Sequence, residues 1–551
     1  MNKIFTVSSL EKIFPYDTPK QLESSGSAFT NERYNFQLVV NLPKGAFDIR
    51  IKIDSDISNY ITIRTVELIP SRFAKYPNPP HNEGYYLNHG NNELYPDLLR
   101  PIYENGGEFL RPNENVAYWF TVDGASNKLP VGKHDIKISV YDYKDVYHEI
   151  KEPELIGVTN YELEILNEEL PELDVVNTCW LHYDCICDKH SVEPFTSDFY
   201  NILAKYVSNI VTHGQNMLYV PMFTPSLDTA VGTYRKTIQL VDVTVENGKY
   251  LFDFKKAKKF IKFIFNKGIK WLEFNHVATQ WGAHYCPKIM ATVDGEYKRI
   301  FGWDTASTSN EYGEFLDEYH KNLKAFLVEN NWENLVYFHI SDEPSGDVKE
   351  NFIFIKNIIK KYFPNAKCMD ALSDKSLYDD GIITHPVVGL HHYEEFKSPY
   401  IYYCGGICEN NITNRHFAMP SDRTRILGLQ AFRNESKMFL QWAVNFYYSV
   451  LSYHEIDPYF VSDADYFFVS GDSYIVYPTT DGVLDSLRHE TLCEAWQDYR
   501  ALSLLASKIG KPAVLKLLDS EGVKEGFTTY PCDPIWFKKF REKVNQMIAN
   551  D

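Results

Sequence analysis

The chain has 551 residues, of which 44% are hydrophobic and 24% are charged, a composition typical of a globular protein with more than one core. Its 74 acidic and 56 basic residues give a net charge of −18, which repels phosphate backbones and argues against a nucleic-acid partner. Aromatic residues make up 15% of the chain, as expected either of a large core or of a site that stacks rings on a ligand.

The sequence predicts a cytoplasmic protein without a membrane span. The N-terminal stretch contains Glu11 and Lys12 and has no apolar run of signal-peptide length. The most apolar long stretch, FLQWAVNFYYSVLSY at 439–453, is too short and too polar to cross a bilayer. Nine scattered cysteines, an odd number, fit reduced thiols better than a disulfide framework.

Residues 1–168 are predicted to form an antiparallel β-sandwich. Short runs with a period of two, such as YNFQLVVNL and VAYWFTVD, alternate there with Pro, Gly and Asn signals. Residues 71–114 are rich in Pro, Asn and Gly, and we expect them to form long loops. The stretch LNEELPELD, at 166–174, is the predicted linker to the rest of the chain.

Residues 169–551 are predicted to form a (β/α)₈ TIM-like barrel with a C-terminal extension. Strand patterns alternate there with helical patterns such as SDFYNILAKYVSNIVTHG, as they do in parallel barrels. The alternative is an open doubly wound sheet, but no Gly-rich dinucleotide fingerprint follows the first strand. The eight strand candidates are DVVNTCWL (174–181), NMLYVPMF (216–223), IKWLEFNH (269–276), NLVYFHIS (334–341), KCMDAL (367–372), VVGLHH (387–392), YIYYCG (400–405) and MFLQWAVNF (438–446).

Two adjacent acids, Asp342 and Glu343, follow the fourth strand candidate, and Pro344 comes next. Strand alternation directs Tyr337 and His339 into the barrel and, if continued, directs Glu343 inward and Asp342 outward. The strand must therefore bend at its end for both acids to reach one pocket, and a proline without an N–H group can end the ladder there. Since barrel enzymes hold their chemistry at the C-terminal ends of the strands, we predict that both acids are catalytic.

Neighbouring acids favour one particular kind of glycoside cleavage. Most glycosidases place two carboxylates on opposite faces of the sugar, roughly 5–9 Å apart, a distance that adjacent residues rarely span. If the sugar carries a 2-acetamido group, its carbonyl oxygen can attack the anomeric carbon instead. One acid then protonates the leaving group, while its neighbour holds the acetamide N–H.

The motif HISDEP after the fourth strand, with WLHYDCICD at the first, resembles glycoside hydrolase family 123, the β-N-acetylgalactosaminidases. The stretches GLQAFRNESKMFLQWAVNFYY, GDSYIVYP and LRHETLCEAWQDYRAL are similar to that family's C-terminal region, so the resemblance covers roughly 175–510. It implies a retaining exo-glycosidase that removes terminal β-linked N-acetylgalactosamine from glycans such as those of glycosphingolipids. Glu343 would be the general acid/base, and Asp342 would stabilise the acetamido group through an oxazolinium intermediate. No cofactor and no metal are implied.

Further residues at strand ends and in loops are candidates for contact with the sugar, although any of them could instead pack in the core. A zinc site in CWLHYDCICDKH would need four convergent ligands, and its C-x₅-C-x-C spacing matches no common site. We therefore predict no metal there. The candidates for substrate binding are His182, His276, Trp303, Tyr393, Tyr403, Trp442, Asn445 and Tyr447.

Two other functions are compatible with the sequence. One is a barrel that binds amino sugars without cleaving them. The other is a glycosidase with two carboxylates that acts on sugars without an acetamido group, its second acid lying on another strand, for example Glu273. No serine nucleophile elbow, H-E-x-x-H helix or P-loop is present to support other hydrolase classes.

Overall fold

The chain forms two compact units. The sandwich unit comprises residues 1–173, 408–434 and 484–551, and the barrel unit comprises residues 174–407 and 435–483. The structure is a computed structural model, and it describes residues 2–76, 84–102, 107–143, 152–344, 349–403 and 411–550.

The sandwich unit contains two five-stranded sheets within the described residues. Their strands are β1 (Lys3–Ser8), β2 (Ser25–Phe29), β3 (Arg33–Asn41), β4 (Ala46–Asp54), β5 (Ile61–Ser71), β6 (Glu93–Pro101), β7 (Glu108–Leu110), β8 (Asn115–Asp123), β9 (Gly132–Asp142) and β10 (Glu154–Leu166). The strand orders are β1-β3-β8-β5-β6 and β2-β10-β9-β4-β7. Neighbouring strands are antiparallel except β2 and β10, which are parallel. The predicted N-terminal antiparallel sheets are therefore confirmed.

Strand β6 corrects the prediction of long loops over residues 71–114. It contains Pro96 and Pro101, which suggest a loop in the sequence, yet it pairs with β5 along its length. Because β6 lies at the edge of its sheet, prolines can be accommodated there. Residues 77–83 and 103–106, within the same stretch, lie outside the described residues.

The C-terminal helices belong to the sandwich unit, whereas the sequence predicted them as an extension of the barrel. Leu487 packs in one buried cluster with Trp119. The fully buried carboxylate of Glu490 pairs with Arg33 at 2.9 Å and with Arg64 at 2.6 Å. These contacts explain the difference, since they fix the longest helix to the sheets. The helices of this unit are α8 (Ser421–Arg425), α9 (Leu427–Arg433), α10 (Leu487–Ile509), α11 (Lys511–Ser520) and α12 (Pro534–Asn550).

The barrel unit contains a closed barrel of eight parallel strands, counted over the part of the chain that is described. Each strand lies within or overlaps a predicted segment, which confirms the TIM-like barrel; Cys404 and Gly405 of the seventh segment lie outside the described residues. The barrel strands are β11 (Val176–Cys179), β12 (Met217–Val220), β15 (Trp271–Phe274), β18 (Val336–Phe338), β19 (Lys367–Ala371), β20 (His385–Gly389), β21 (Tyr400–Tyr402) and β22 (Met438–Gln441).

A second sheet of four strands, which the sequence did not predict, is inserted in the loops that follow β12 and β15. Its strands are β13 (Asp242–Glu246), β14 (Lys249–Asp253), β16 (Ile289–Val293) and β17 (Glu296–Phe301), in the order β14-β13-β16-β17. Two short strands, β23 (Val476–Pro478) and β24 (Val483–Asp485), come later in the chain.

Helix α2 of the barrel unit follows the predicted helical pattern SDFYNILAKYVSNIVTHG. Helix α2 begins after Thr196, whose side chain accepts a hydrogen bond from the Phe199 N–H, and it buries Leu203 and Val207. The spacing of Asp347 and Glu350 predicts a capping box at the start of α5, but Asp347 lies outside the described residues. No helix in the described ranges is long and apolar enough to cross a membrane. The helices are α1 (Tyr183–His190), α2 (Ser197–Thr212), α3 (Lys255–Phe265), α4 (Asn310–Asn330), α5 (Lys349–Tyr362), α6 (Ser376–Asp379) and α7 (Tyr393–Phe396).

Alternation along β18 directs one set of side chains into the barrel lumen. Tyr337 packs in a buried cluster with Met217 and Met369 from other barrel strands. Phe338 instead contacts Phe363, with a distance of 4.9 Å between ring centroids. The inward face predicted for Tyr337 is therefore confirmed.

Candidate active site

Asp342 and Glu343 lie at the C-terminal mouth of the barrel, beyond the end of β18. Glu343 has a φ of +44°, in the left-handed region that non-glycine residues rarely adopt. The backbone therefore bends at the acid pair, as predicted. Asp342 is half-buried and Glu343 is exposed, and the Tyr402 hydroxyl donates a hydrogen bond to Glu343 Oε1 at 3.2 Å.

The pair lies in a negatively charged environment that disfavours a second ionised carboxylate. Burial raises the pKa of Asp342 well above its usual value, and the charges of Glu343 and Asp228 raise it further. The positive charge of His339 opposes this shift. Burial and these neighbouring negative charges therefore favour the protonated form of Asp342.

Asp228 is a third carboxyl at this mouth, and sequence reasoning did not identify it. It lies in the loop after β12, where burial raises its pKa to about 6, Arg235 opposes the shift and Glu343 adds to it. Its backbone is left-handed, with a φ of +47°. The Ser452 hydroxyl donates to the Asp228 carbonyl oxygen at 2.6 Å, which ties the loops after β12 and β22 together. No local motif marks this position, because only the fold brings it to the acids.

A buried ionic network occupies the lumen below the pair. The His339 ring lies between two carboxylates, with Nε2 at 2.7 Å from Glu273 Oε1 and Nδ1 at 3.1 Å from Asp370 Oδ1. Burial alone would lower the pKa of His339, but the hydrogen bonds with Asp370 and Glu273 outweigh burial and raise it to about 9. His339 is therefore an imidazolium at neutral pH.

The network also holds the backbone that leads to the acids. The Ile340 N–H donates to Asp370 Oδ1 at 3.1 Å, and the Ala278 N–H donates to the Ile340 carbonyl at 2.9 Å. Two residues after Ile340, the carbonyl of Asp342 accepts a hydrogen bond from the Trp281 N–H at 2.9 Å. The irregular segment after β18 is thus fixed from both sides.

Glu273, the alternative catalytic acid, is inaccessible to substrate. It is fully buried, and besides His339 it accepts hydrogen bonds from Trp180 Nε1 at 2.7 Å and from Thr178 Oγ1 at 2.6 Å. These donors satisfy the hydrogen-bonding capacity of the buried carboxylate. The structure therefore gives Glu273 a structural role.

Three members of this region are close enough to hold a metal ion: the ligand atoms of His276, His339 and Asp370 lie within 4.8 Å of one another. However, an imidazolium has no free lone pair, and both nitrogens of His339 already face carboxylates. His276 stacks on His339 with ring centroids 4.2 Å apart, and its Nδ1 lies 3.0 Å from the Tyr219 hydroxyl. These contacts fit an ionic network better than a metal centre, and the absence of a metal stays a prediction.

Of the predicted sugar contacts, Trp442 is the best placed. It follows β22 at the barrel mouth and is half-buried. Its Nε1 donates to Asp472 Oδ2 at 3.0 Å, and its ring packs between Phe446 and Phe468 at centroid distances of 5.1 and 5.0 Å. The indole is therefore held rigidly while part of it stays accessible to a ligand.

Trp303 is also half-buried, in the loop after β17. Its Nε1 donates to the Thr233 carbonyl at 2.9 Å, and its ring lies 6.1 Å from that of Tyr285. It forms part of the loops on the β12 and β15 side of the mouth.

His182 and Asn445 are buried, and their polar atoms bind protein groups. The amide of Asn445 accepts from the His182 N–H at 2.8 Å and donates to the His182 carbonyl at 3.1 Å. The His182 ring lies 3.2 Å from an Arg235 nitrogen and 3.2 Å from the Trp442 carbonyl. Both residues join loops through these bonds, and their contact with a sugar stays a prediction.

The remaining candidates are also buried below the pocket surface: His276, Tyr393, Tyr403 and Tyr447. The Tyr447 hydroxyl, for example, donates to the Val476 carbonyl at 2.9 Å. Position at a strand end did not predict exposure, because the irregular segments beyond the strands cover these side chains.

The buried imidazolium predicts a pH-dependent contribution to stability. The folded pKa of His339, about 9, exceeds the ordinary value of 6.5, so its contribution is complete below pH 6.5 and is lost as the pH rises through about 9. The difference in unfolding free energy between wild type and His339→Gln should therefore shrink over this range, by on the order of 3 kcal/mol. Denaturant titrations at several pH values measure it.

His320→Gln is the matched control for that series. His320 is buried in α4, but burial lowers its pKa to about 4, so its ring is neutral throughout the range. Its stability difference should stay constant from pH 6.5 to 9. A constant difference for His339→Gln as well would contradict the imidazolium assignment.

Comparison with known proteins agrees with this architecture. The family model for the glycoside hydrolase 123 catalytic domain matches residues 180–505. The structure of a family 123 glycoside hydrolase from Clostridium perfringens, determined in a study of glycolipid glycan hydrolysis, aligns with a TM-score of 0.70 at 15% identity over 100% of this chain and 98% of that chain.

More distant similarities carry no argument. A GH10 xylanase with a bacterial Ig-like domain, from termite gut, has a TM-score of 0.32 at 10% identity over 67% of this chain and 86% of that one. A GH10 xylanase from Thermobacillus composti has a TM-score of 0.30 at 11% identity over 59% of this chain and 100% of that one. No curated protein matches the sequence. The family match extends over more than half of the chain, which therefore belongs to glycoside hydrolase family 123.

Proposed function

We propose that this glycoside hydrolase is a retaining exo-β-N-acetylgalactosaminidase that works by substrate-assisted catalysis. The observation that carries the proposal is the acid pair itself: Asp342 is half-buried and Glu343 is exposed, side by side at the barrel mouth. Adjacent side chains rarely act from opposite faces of one sugar, which favours a nucleophile supplied by the substrate itself.

In the first step, the acetamide carbonyl oxygen of the sugar attacks the anomeric carbon. Glu343 donates its proton to the glycosidic oxygen as the bond to the leaving group breaks. The carboxylate of Asp342 accepts the acetamide N–H and stabilises the positive charge of the oxazolinium ring. In the second step, water attacks the anomeric carbon, Glu343 accepts its proton, and the ring reopens to give the product with retained configuration.

The raised pKa of Asp342 is consistent with a proton shift on binding. In the free protein, burial and the neighbouring charges disfavour ionised Asp342. A bound acetamide N–H favours the ionised form, because hydrogen bonds to a carboxylate stabilise its charge. The proposed mechanism uses this ionised form of Asp342 to hold the acetamide N–H.

The proposed substrates are glycans that end in β-linked N-acetylgalactosamine, including those of glycosphingolipids. The study of the Clostridium perfringens relative concerns glycolipid glycans, and the acetamido group follows from the acid pair. The cytoplasmic location stays a prediction from the sequence.

A glycosidase with two carboxylates is the second candidate, and Asp228 is the observation that favours it. The charge of Glu343 raises the pKa of Asp228, so the two carboxyls interact, whereas Glu273 is fully buried. An enzyme of this kind would cleave sugars without an acetamido group. A barrel that only binds amino sugars remains the third possibility.

The first test compares an aryl β-N-acetylgalactosaminide with the aryl β-galactoside. We expect the wild type to cleave only the acetamido substrate, because only that sugar carries its own nucleophile. Glu343→Gln and Asp342→Asn should each lower kcat by about 100-fold or more. Release of the aryl alcohol measures the rates.

Asp294→Asn and Glu296→Gln are matched controls, since both residues are exposed on the β16–β17 hairpin. Neither change should alter the rates. Equal cleavage of the plain galactoside would contradict the substrate-assisted mechanism and favour Asp228 as the second carboxylate. Binding of N-acetylgalactosamine without any cleavage would identify a receptor.

Asp228→Asn should change the pH dependence of the reaction. The negative charge of Asp228 raises the pKa of Asp342, so its removal lets Asp342 ionise at lower pH. The acidic limb of kcat/KM, which reports on the free enzyme, should move to lower pH. Asp294→Asn is the control, because Asp294 has a similar left-handed φ of +51° but is exposed elsewhere. If the acidic limb of the profile does not move, or moves to higher pH, the charge of Asp228 does not raise the pKa of Asp342.

A further inference from the structure

The loop after β15 runs beside the segment that carries the acids. The Ala278 N–H donates to the Ile340 carbonyl at 2.9 Å, and the Trp281 N–H donates to the Asp342 carbonyl at 2.9 Å. These two bonds extend the pairing of β15 with β18 beyond the regular strands. Trp281 is thereby fixed directly beside the acid pair.

Trp281 combines a rare backbone conformation with a large exposed ring. Its φ is +55°, and after Gly282 the φ of Ala283 is +51°. A left-handed bulky residue is strained and persists only where its surroundings determine it, most often at functional sites. The side chain is 54% exposed, so the fold does not use the indole to fill its core.

The position of the acid indicates which part of a substrate this ring would meet. Glu343 must contact the glycosidic oxygen in the proposed reaction, and it is exposed. In the proposed complex, the N-acetylgalactosamine would lie inside the barrel mouth, next to Trp442, whose indole is held by Asp472. The leaving group therefore extends from Glu343 toward solvent, on the rim where the exposed Trp281 is fixed.

We propose that Trp281 forms the leaving-group subsite, stacking its indole on the apolar face of the pyranose to which the N-acetylgalactosamine is attached. Aromatic rings bind sugars in this way because the C–H groups of one pyranose face are apolar. The substrate class is thus a glycan whose second residue is a hexopyranose. This inference rests on the proposed function.

The experiment compares two substrates that differ only in the leaving group. One is a disaccharide of β-linked N-acetylgalactosamine on galactose, and the other is the β-fluoride of N-acetylgalactosamine, whose leaving group is a single atom. Trp281→Ala should lower kcat/KM for the disaccharide by about 10-fold, a typical effect of one lost aromatic contact. The fluoride should change by less than about 2-fold, and Trp281→Phe should retain most of the disaccharide activity.

Tyr297→Ala is the matched control, because Tyr297 is an aromatic residue that is 61% exposed on β17. It should leave both substrates unaffected. An equal loss on both substrates in Trp281→Ala would overturn the subsite, since it would show that the residue only positions Asp342. No loss on either would overturn it as well. If the wild type cleaves neither substrate, the proposed function fails before Trp281 is tested.

Discussion

The imidazolium of His339 is the interaction on which the site depends. A buried charge is costly unless it is paired, and here Glu273 and Asp370 pair with it on opposite sides of the ring. The three residues come from neighbouring strands or their ends, so the pairing joins β15, β18 and β19 within the lumen. Asp370 then reaches the backbone at Ile340, which links the core of the barrel to the acids at its mouth.

Much of the fold follows from local patterns in the sequence. The eight barrel strands could be predicted because each is a short apolar run between helical segments. The grouping of α10 with the sandwich could not, because it depends on ion pairs between Glu490 and the distant Arg33 and Arg64. Likewise, only the position of β6 at a sheet edge explains how its prolines are tolerated.

Some residues of the candidate site could likewise be proposed from local sequence patterns, whereas others could not. Asp342 and Glu343 could be proposed from the sequence because they are adjacent in it, at the end of a recognisable strand. Asp228 and Asp370 were missed, since only the closed barrel brings them to the pair. The aromatic and polar contacts with the sugar stay predictions. Their burial, for example that of Asn445, could not be predicted, because a position near a strand end says nothing about what covers it.

The contact between Asp370 and the main chain has a consequence for divergence within the family. The carboxylate binds the N–H of residue 340, which every amino acid except proline supplies, so the bond is indifferent to the side chain there. The backbone conformation that this bond stabilises can therefore be kept when the side chain at position 340 changes. The Clostridium perfringens relative has a similar fold, with a TM-score of 0.70, at only 15% identity.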